Sequence, residues 1–450
     1  MSVFLNRVKK VLLITYYFPP SGGAGVQRWL KTINYLPKAG VETIVLTVDP
    51  AVASYPQIDE SLCNDVPSGI KIYRTRTREI LSLYKKVSPK NEVPYGGFAN
   101  EPNPNLLQKI SRFIRGNFFL PDPRRGWNKY ALAKAKEIIE TEAIDTIVTT
   151  SPPHSTQLIG LELKRLYPHL KWVADLRDPW TDIYYNEDLY PTRWAKKCNL
   201  RYERSVLLGA DQIITVSEEC KRLFAAKAEV AEKIAVVPNG YDTKDFIQLG
   251  VVKELGIRNE ELGISVQMRG EPSLLELSRV QPEITSLANN LKTLSYIGVW
   301  APQYDIEPLK MLVQGRKDIL LRFVGVVSED IKREIESWGV QTEFISYVSH
   351  KKAIEYMQAS DALLLFIPNV PNNEGILTGK LFEYLASGRK ILLFGPESGD
   401  AMSLINECEA GECFSNNFNL DSFLNMPYKG NDNIKLYSRE ALAYKIVSLL

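Results

Sequence analysis

The sequence predicts an α/β protein built from two doubly wound parallel sheets. Three observations lead there. Short apolar runs of strand length recur along the 450 residues, with helical patterns between them. The strand–helix series runs twice, on either side of a Pro238-Asn239-Gly240 turn signal. The length also suits two domains, each large enough for its own core.

In the first series, residues 10–16 (KVLLITY) form the opening strand, residues 18–25 a glycine-rich loop and residues 26–36 an amphipathic helix. Strands follow at 42–48, 146–150, 171–175 and 212–216. The second series has strands at 293–297, 320–324, 343–346, 362–367 and 390–394. The expected division is a first domain over 1–238 and a second over 239–435. The poorly patterned stretch 247–290 is an insertion at the junction, and a helix within 436–450 packs back on the first domain.

Composition is that of a globular chain, 45% apolar and 24% charged, and no run of about 18 apolar residues would cross a membrane. The five cysteines, at 63, 198, 220, 408 and 413, contain no C-x-x-C pair, which fits a reducing cytoplasm and argues against a metal cage. The first ten residues lead into a strand without a signal-peptide pattern, so a cytoplasmic location is expected. Net charge is only +2, yet residues 71–130 hold thirteen Lys/Arg against four acids. Within that window Leu106, Leu107, Ile110, Phe113 and Ile114 recur at helical spacing, with Lys109, Arg112 and Arg115 interleaved. Such a helix suits peripheral contact with an anionic membrane, or it packs on the sheet as an ordinary amphipathic helix. No nucleic-acid-binding motif accompanies the basic window, and none is expected.

The richest chemistry lies in Asn373-Glu374-Gly375-Ile376-Leu377-Thr378-Gly379-Lys380-Leu381-Phe382-Glu383-Tyr384. A polar loop leads into a helix that Thr378 is placed to cap, so the amides of Gly379 and Lys380 would point outward at the positive end of the helix dipole. That end seats a diphosphate, and Lys380 adds a full charge. Glu383, one turn on, is the candidate for ribose hydroxyls, and Glu374 for a sugar on the far phosphate. The flanking strands put this helix start at the carboxyl edge of a parallel sheet, where open α/β sheets take ligands. The stretch reads as a nucleotide-sugar site; its plainer use is a capped surface helix whose Lys and Glu face water.

Three further motifs close strands of the first series. Gly22-Gly23-Ala24-Gly25 sits where a phosphate cradle would, with Gly23 the candidate contact to a diphosphate. A dinucleotide fingerprint fails there, because Arg28 stands at its third glycine. His154, in Ser151-Pro152-Pro153-His154-Ser155, is a candidate donor to a sugar hydroxyl, or a packing residue. In Asp175-Leu176-Arg177-Asp178-Pro179-Trp180, Asp178 is the candidate base or orienting group at an acceptor hydroxyl. An Asp–Arg pair bracing the loop is the alternative.

Taken together, the chain resembles the family 4 retaining glycosyltransferases of the GT-B fold, and most closely those that build bacterial capsule and lipopolysaccharide. The likeness spans nearly the whole length. It rests on the Tyr17-Phe18-Pro19-Pro20 loop, Ser151-Pro152-Pro153-His154, Asp175-x-Arg177-Asp178-Pro179-Trp180 and Val237-Pro238-Asn239-Gly240-Tyr241-Asp242. It continues through Tyr296-Ile297-Gly298, Phe323-Val324-Gly325, Val348-Ser349-His350 and Lys380-Leu381-Phe382-Glu383-Tyr384-Leu385-Ala386-x-Gly388. The resemblance implies two Rossmann-like domains facing a cleft, a nucleotide-sugar donor on the second and a glycan or lipid-linked acceptor on the first. It implies no metal and no cofactor, a nucleobase near Gly325 and Val348, and catalysis through His154, Asp178 and Glu374. Two departures stand out. Glu374 and Glu383 are nine positions apart where the family has eight, and residues 298–303 supply neither the Arg nor the Lys expected there. Lys380 is left to carry the diphosphate charge, with Arg28 or Arg177 as helpers. A hydrolysing sugar-nucleotide epimerase and a catalytically silent scaffold of the same architecture are the alternatives.

Overall fold

The computed structural model describes residues 9–78, 105–247 and 291–450. The expected insertion, from position 248 on, and the 79–104 part of the basic window lie outside the described residues. The chain forms two compact units. One comprises Met1–Gly240, Val370–Gly379 and Leu436–Leu450, the other Tyr241–Asn369 and Lys380–Lys435.

The first unit is built on strands β1 (Lys9–Ile14), β2 (Val41–Val48), β3 (Lys71–Thr75), β4 (Thr146–Ser151), β5 (Lys171–Leu176), β6 (Gln212–Thr215) and β7 (Ile234–Val236). All pair in parallel, in the order β3-β2-β1-β4-β5-β6-β7. Successive side chains on a strand point to opposite faces, so a sheet covered on both sides needs apolar residues at every position. Leu12, Ile14, Ile44, Leu46, Ile147 and Trp172 fill one face. Val11, Leu13, Val45, Val148, Val173 and Ile214 fill the other, against Trp29, Leu442, Ile446 and Leu450. The last three belong to the closing helix Arg439–Leu449 and the chain end, which thus help cover the first sheet.

Four helices of this unit matter below: α1 (Ala24–Thr32), α2 (Leu106–Phe118), α3 (Ser155–Leu166) and α4 (Arg193–Gly209). The helix expected over 26–36 ends early, at Thr32, and a short 3-10 turn at Leu36–Ala39 takes over around Pro37. Pro37 has no N–H to donate to the Ile33 carbonyl and its ring crowds that oxygen, so the α-helix cannot run through it.

Helix α2 is the larger surprise. Asn105 and Gln108 close a capping box at its start. Its buried residues are Arg112, Gly116 and Asn117, whereas Leu106, Leu107, Ile110, Phe113 and Ile114 are 42–76% exposed. The apolar stripe faces outward, not onto the sheet. A Cβ at Gly116 would stand 2.4 Å from the Leu189 carbonyl oxygen, so this glycine lets α2 lie against the turn Tyr184–Leu189. Asn117 fixes the junction, donating to the Tyr190 carbonyl at 3.0 Å and accepting from the Thr192 amide at 2.7 Å. The described basic window is divided, with two arginines buried and most of its other cations exposed. Arg112 and Arg124 are buried, Arg74 donates to the Pro19 carbonyl, Lys71 pairs with Glu142, and Arg125 donates to the Leu120 carbonyl.

The second unit carries β8 (Lys292–Ile297), β9 (Ile319–Val324), β10 (Gln341–Ile345), β11 (Ala362–Phe366), β12 (Lys390–Phe394) and β13 (Gly411–Cys413). Their order is β10-β9-β8-β11-β12-β13, again all parallel. Strand order reverses between β1 and β4 in one sheet and between β8 and β11 in the other, and such switch points are where ligands sit. Helices α5 (His350–Gln358) and α6 (Gly379–Ala386) frame the second of these. No described helix is long and apolar enough to cross a membrane.

Candidate active site

In the second unit, β8 and β9 are followed directly by Gly298 and Gly325, both at φ 131°. Only glycine takes that backbone without strain. The Gly298 amide donates to the Val324 carbonyl and the Gly325 amide to that of Ile345, each at 2.8 Å. A Cβ at Gly325 would meet the Gly298 oxygen at 2.2 Å, and one at Gly298 would lie 3.0 Å from the Lys380 Nζ. The glycine pair therefore lets two strand ends close up and leaves room for a lysine above them.

Lys380, on the first turn of α6, fills that room. Its Nζ donates to the Tyr296 Oη at 2.7 Å and lies 4.2 Å from the ring centroid, where the aromatic face attracts a cation. The phenol in turn donates to the Val299 carbonyl at 2.7 Å. Burial lowers the Lys380 pKa to about 8, with Glu383 acting in the opposite sense. Gly298→Ala should push the ammonium off its seat and strain the backbone, costing about 1–3 kcal/mol of stability in chemical denaturation.

Glu383 does not stand alone. Its Oε1 is 3.0 Å from the Nε2 of His350, whose Nδ1 lies 3.9 Å from Asp245. His350 opens α5, where Ser349 caps the helix by accepting from the Lys352 amide. Sequence reasoning quoted His350 within a motif but gave it no role. Its partner is 33 residues away, a pairing that no local pattern carries. Val348 lies on the same β10–α5 connection. The expected Thr378 cap is not formed, since its hydroxyl is buried without a hydrogen-bond partner and α6 begins at Gly379. Gly379 itself is exposed, with open space where a Cβ would be.

Glu374 is exposed on the 3-10 turn Asn373–Gly375, within the Val370–Gly379 segment of the first unit. Asn372 donates to the Asp182 carbonyl at 3.1 Å, and a Cβ at Gly375 would be 2.9 Å from that of Glu219. The close approach at Gly375 fixes the turn that displays Glu374. Gly23 adopts φ 90° at the start of α1, and the neighbouring Gly22 amide donates to the Gln57 carbonyl at 3.0 Å.

His154 and Trp180 come together at the carboxyl edge of the first sheet, and Asp178 lies two residues before Trp180 on the loop that follows β5. The His154 ring stacks on Trp180 with centroids 4.6 Å apart and planes 12° apart. Its Nδ1 is buried without a partner. Burial, aided by the charges of Arg177 and Lys227, lowers its pKa to about 3, so the imidazole is neutral at physiological pH. Burial raises the Asp178 pKa, Arg177 opposing and Asp175 reinforcing the shift. A neutral imidazole and a carboxyl group with a raised proton affinity, following two paired strands, suit binding and deprotonation of a hydroxyl.

The helper arginines are committed elsewhere. Arg28, 4% exposed, lies 3.1 Å from Asp175 and donates to the Pro238 carbonyl at 2.9 Å. Arg177 donates to the carbonyls of Ser151 at 2.9 Å and Gly25 at 2.8 Å. The Asp175 brace is thus made with Arg28 of α1, not with Arg177 two residues on. Among the described residues, no three His, Cys, Asp or Glu gather as a metal-ligand group.

Residues 95–245 match the glycosyltransferase family 4 model. No curated protein matches the sequence. Among solved structures, the sucrose-phosphate synthase of Thermosynechococcus elongatus aligns at a TM-score of 0.56 and 13% identity, covering 98% of each chain. HepE of Anabaena, in complex with UDP and glucose, aligns at 0.51 and 13%, again over 98% of each chain. The lipopolysaccharide outer core galactosyltransferase WaaB gives 0.52 and 12% over 98% of each chain. With two all-parallel sheets, each reversing strand order at its centre, the chain has the two-domain Rossmann-like GT-B fold.

Proposed function

We propose that this protein is a retaining, metal-independent family 4 glycosyltransferase. It moves a sugar, as a hexosyltransferase, from a nucleotide donor to a glycan or lipid-linked acceptor in bacterial capsule or lipopolysaccharide synthesis, on the cytoplasmic face of the membrane. The observation that carries the reading is Lys380, seated on Tyr296 at the switch point of the second sheet. A fixed cation there stabilises a departing diphosphate, the task a metal ion would otherwise perform. The family match over 95–245 supports the acceptor-side assignment of His154 and Asp178, and Glu374 is assigned to the donor sugar. HepE holds UDP and glucose, which makes UDP the first nucleotide to test.

In a thermal-shift and calorimetric screen of UDP, GDP, CMP, ADP and NAD, one nucleoside diphosphate should stabilise the protein. Glu383→Ala should weaken that binding about 10–100-fold, the worth of a hydrogen bond to a charged group. Stabilisation by NAD alone would overturn the reading. Product anomer configuration, read by NMR, tests retention.

A further inference from the structure

We infer that the exposed faces of α2 and α4 form a docking surface for an anionic lipid bilayer. Two observations on different helices carry it. On α2, Leu106, Leu107 and Phe118 are 73%, 76% and 73% exposed, and Ile110, Phe113 and Ile114 continue the same outward stripe. Leaving such a stripe in water is unfavourable, whereas the headgroup boundary of a bilayer accepts it.

On α4, Arg193, Lys197, Arg201 and Arg204 recur at helical spacing and all are exposed, with Leu200 among them and Trp194 64% exposed beside them. The only acid of this helix, Glu203, is buried against Lys227 and Thr181 and cancels none of that charge. The Asn117–Thr192 contact joins the end of α2 to the start of α4, with exposed Phe118 and Trp194 one and two residues from it along the chain. An apolar stripe bordered by a cationic face with an interfacial Trp fits anionic lipid by both packing and charge. This basic face lies outside the 71–130 window. Only the choice of partner rests on the transferase reading, since a lipid-linked acceptor is presented at such a surface.

The test is co-sedimentation of the full chain with vesicles, without donor or acceptor, so its failure leaves the transferase reading untouched. Vesicles rich in phosphatidylglycerol should bind the protein at least about ten-fold better than pure phosphatidylcholine, and salt should weaken the binding. Ile110→Glu with Phe113→Glu, and separately Arg201→Glu with Arg204→Glu, should each lower binding about ten-fold or more at unchanged melting temperature. Vesicle binding indifferent to both pairs would overturn the inference. So would a protein that ignores vesicles but changes from dimer to monomer with the α2 pair, which would make the stripe a contact between two copies.

Discussion

Lys380→Ala is expected to lower the kcat of sugar transfer by about 10²–10³-fold, the usual loss on removing a fixed donor to a developing negative charge. The effect should be large because the strand-end segment 298–303 supplies no second cation, and because Arg28 and Arg177 are held in the first unit. The lysine also sets a pH limit. Its ordinary pKa of 10.5 falls to about 8 through burial, so the free enzyme loses this charge as pH rises through about 8. The kcat/KM for donor should therefore drop on an alkaline limb near pH 8, since that ratio reports the free enzyme. Bound diphosphate favours the cation, so the limb in kcat should lie higher. Lys380→Arg keeps its charge throughout and should remove the limb, whatever it does to the rate. The linkage to stability has the opposite sign. Between pH 8 and 10.5 the unfolded chain binds the proton more tightly, so this residue's contribution to stability rises with pH across that window. An alkaline limb that survives in Lys380→Arg would assign it to another group.

How much of this was legible in the sequence follows from where each signal resides. Strands buried on both faces announce themselves as continuous apolar runs, and the central strands β1, β2, β4, β5, β8, β9, β11 and β12 fall where such runs predict. The edge strands β3, β7 and β13 escaped. Lys71–Thr75 is partly exposed, and Ile234–Val236 and Gly411–Cys413 have only three residues each, too few for a periodic pattern. The apolar spacing of α2 was plain, but spacing shows that a helix is amphipathic and not which face meets the protein. That information lay in Gly116 and Asn117, whose fits to Leu189 and Tyr190 are visible only in three dimensions. The seat of Lys380 was half legible. The lysine and Gly298 were quoted, while Tyr296 as its acceptor, 84 residues away, needed the closed sheet.

The other large effect is on stability. Asp175 is fully buried and accepts from the Trp29 Nε1 at 2.7 Å and the Thr150 hydroxyl at 2.7 Å, with the Arg28 guanidinium 3.1 Å away. Asp175→Ala would strand a buried cation and two buried donors, a loss of about 3–5 kcal/mol in denaturant unfolding. Arg28→Met combined with Asp175→Leu should recover much of that loss, because a buried ion pair is expensive to break but replaceable by apolar groups of similar volume. If the double variant is no more stable than Asp175→Ala, the stability comes from the hydrogen bonds of Trp29 and Thr150 and not from the charge pair. The functional consequence runs through the same strand end. The Asp175 carbonyl accepts from Gln157 at 2.9 Å and from Ser151 at 3.3 Å, tying β5 to the end of β4 and to α3. His154 and Asp178 project from those two ends, so loosening them should raise the KM for acceptor while nucleotide affinity, set in the second unit, stays the same. Calorimetry of nucleotide binding beside acceptor kinetics separates the two: equal losses in both would mean global unfolding, and a loss confined to acceptor would place Asp175 as the brace of the acceptor side.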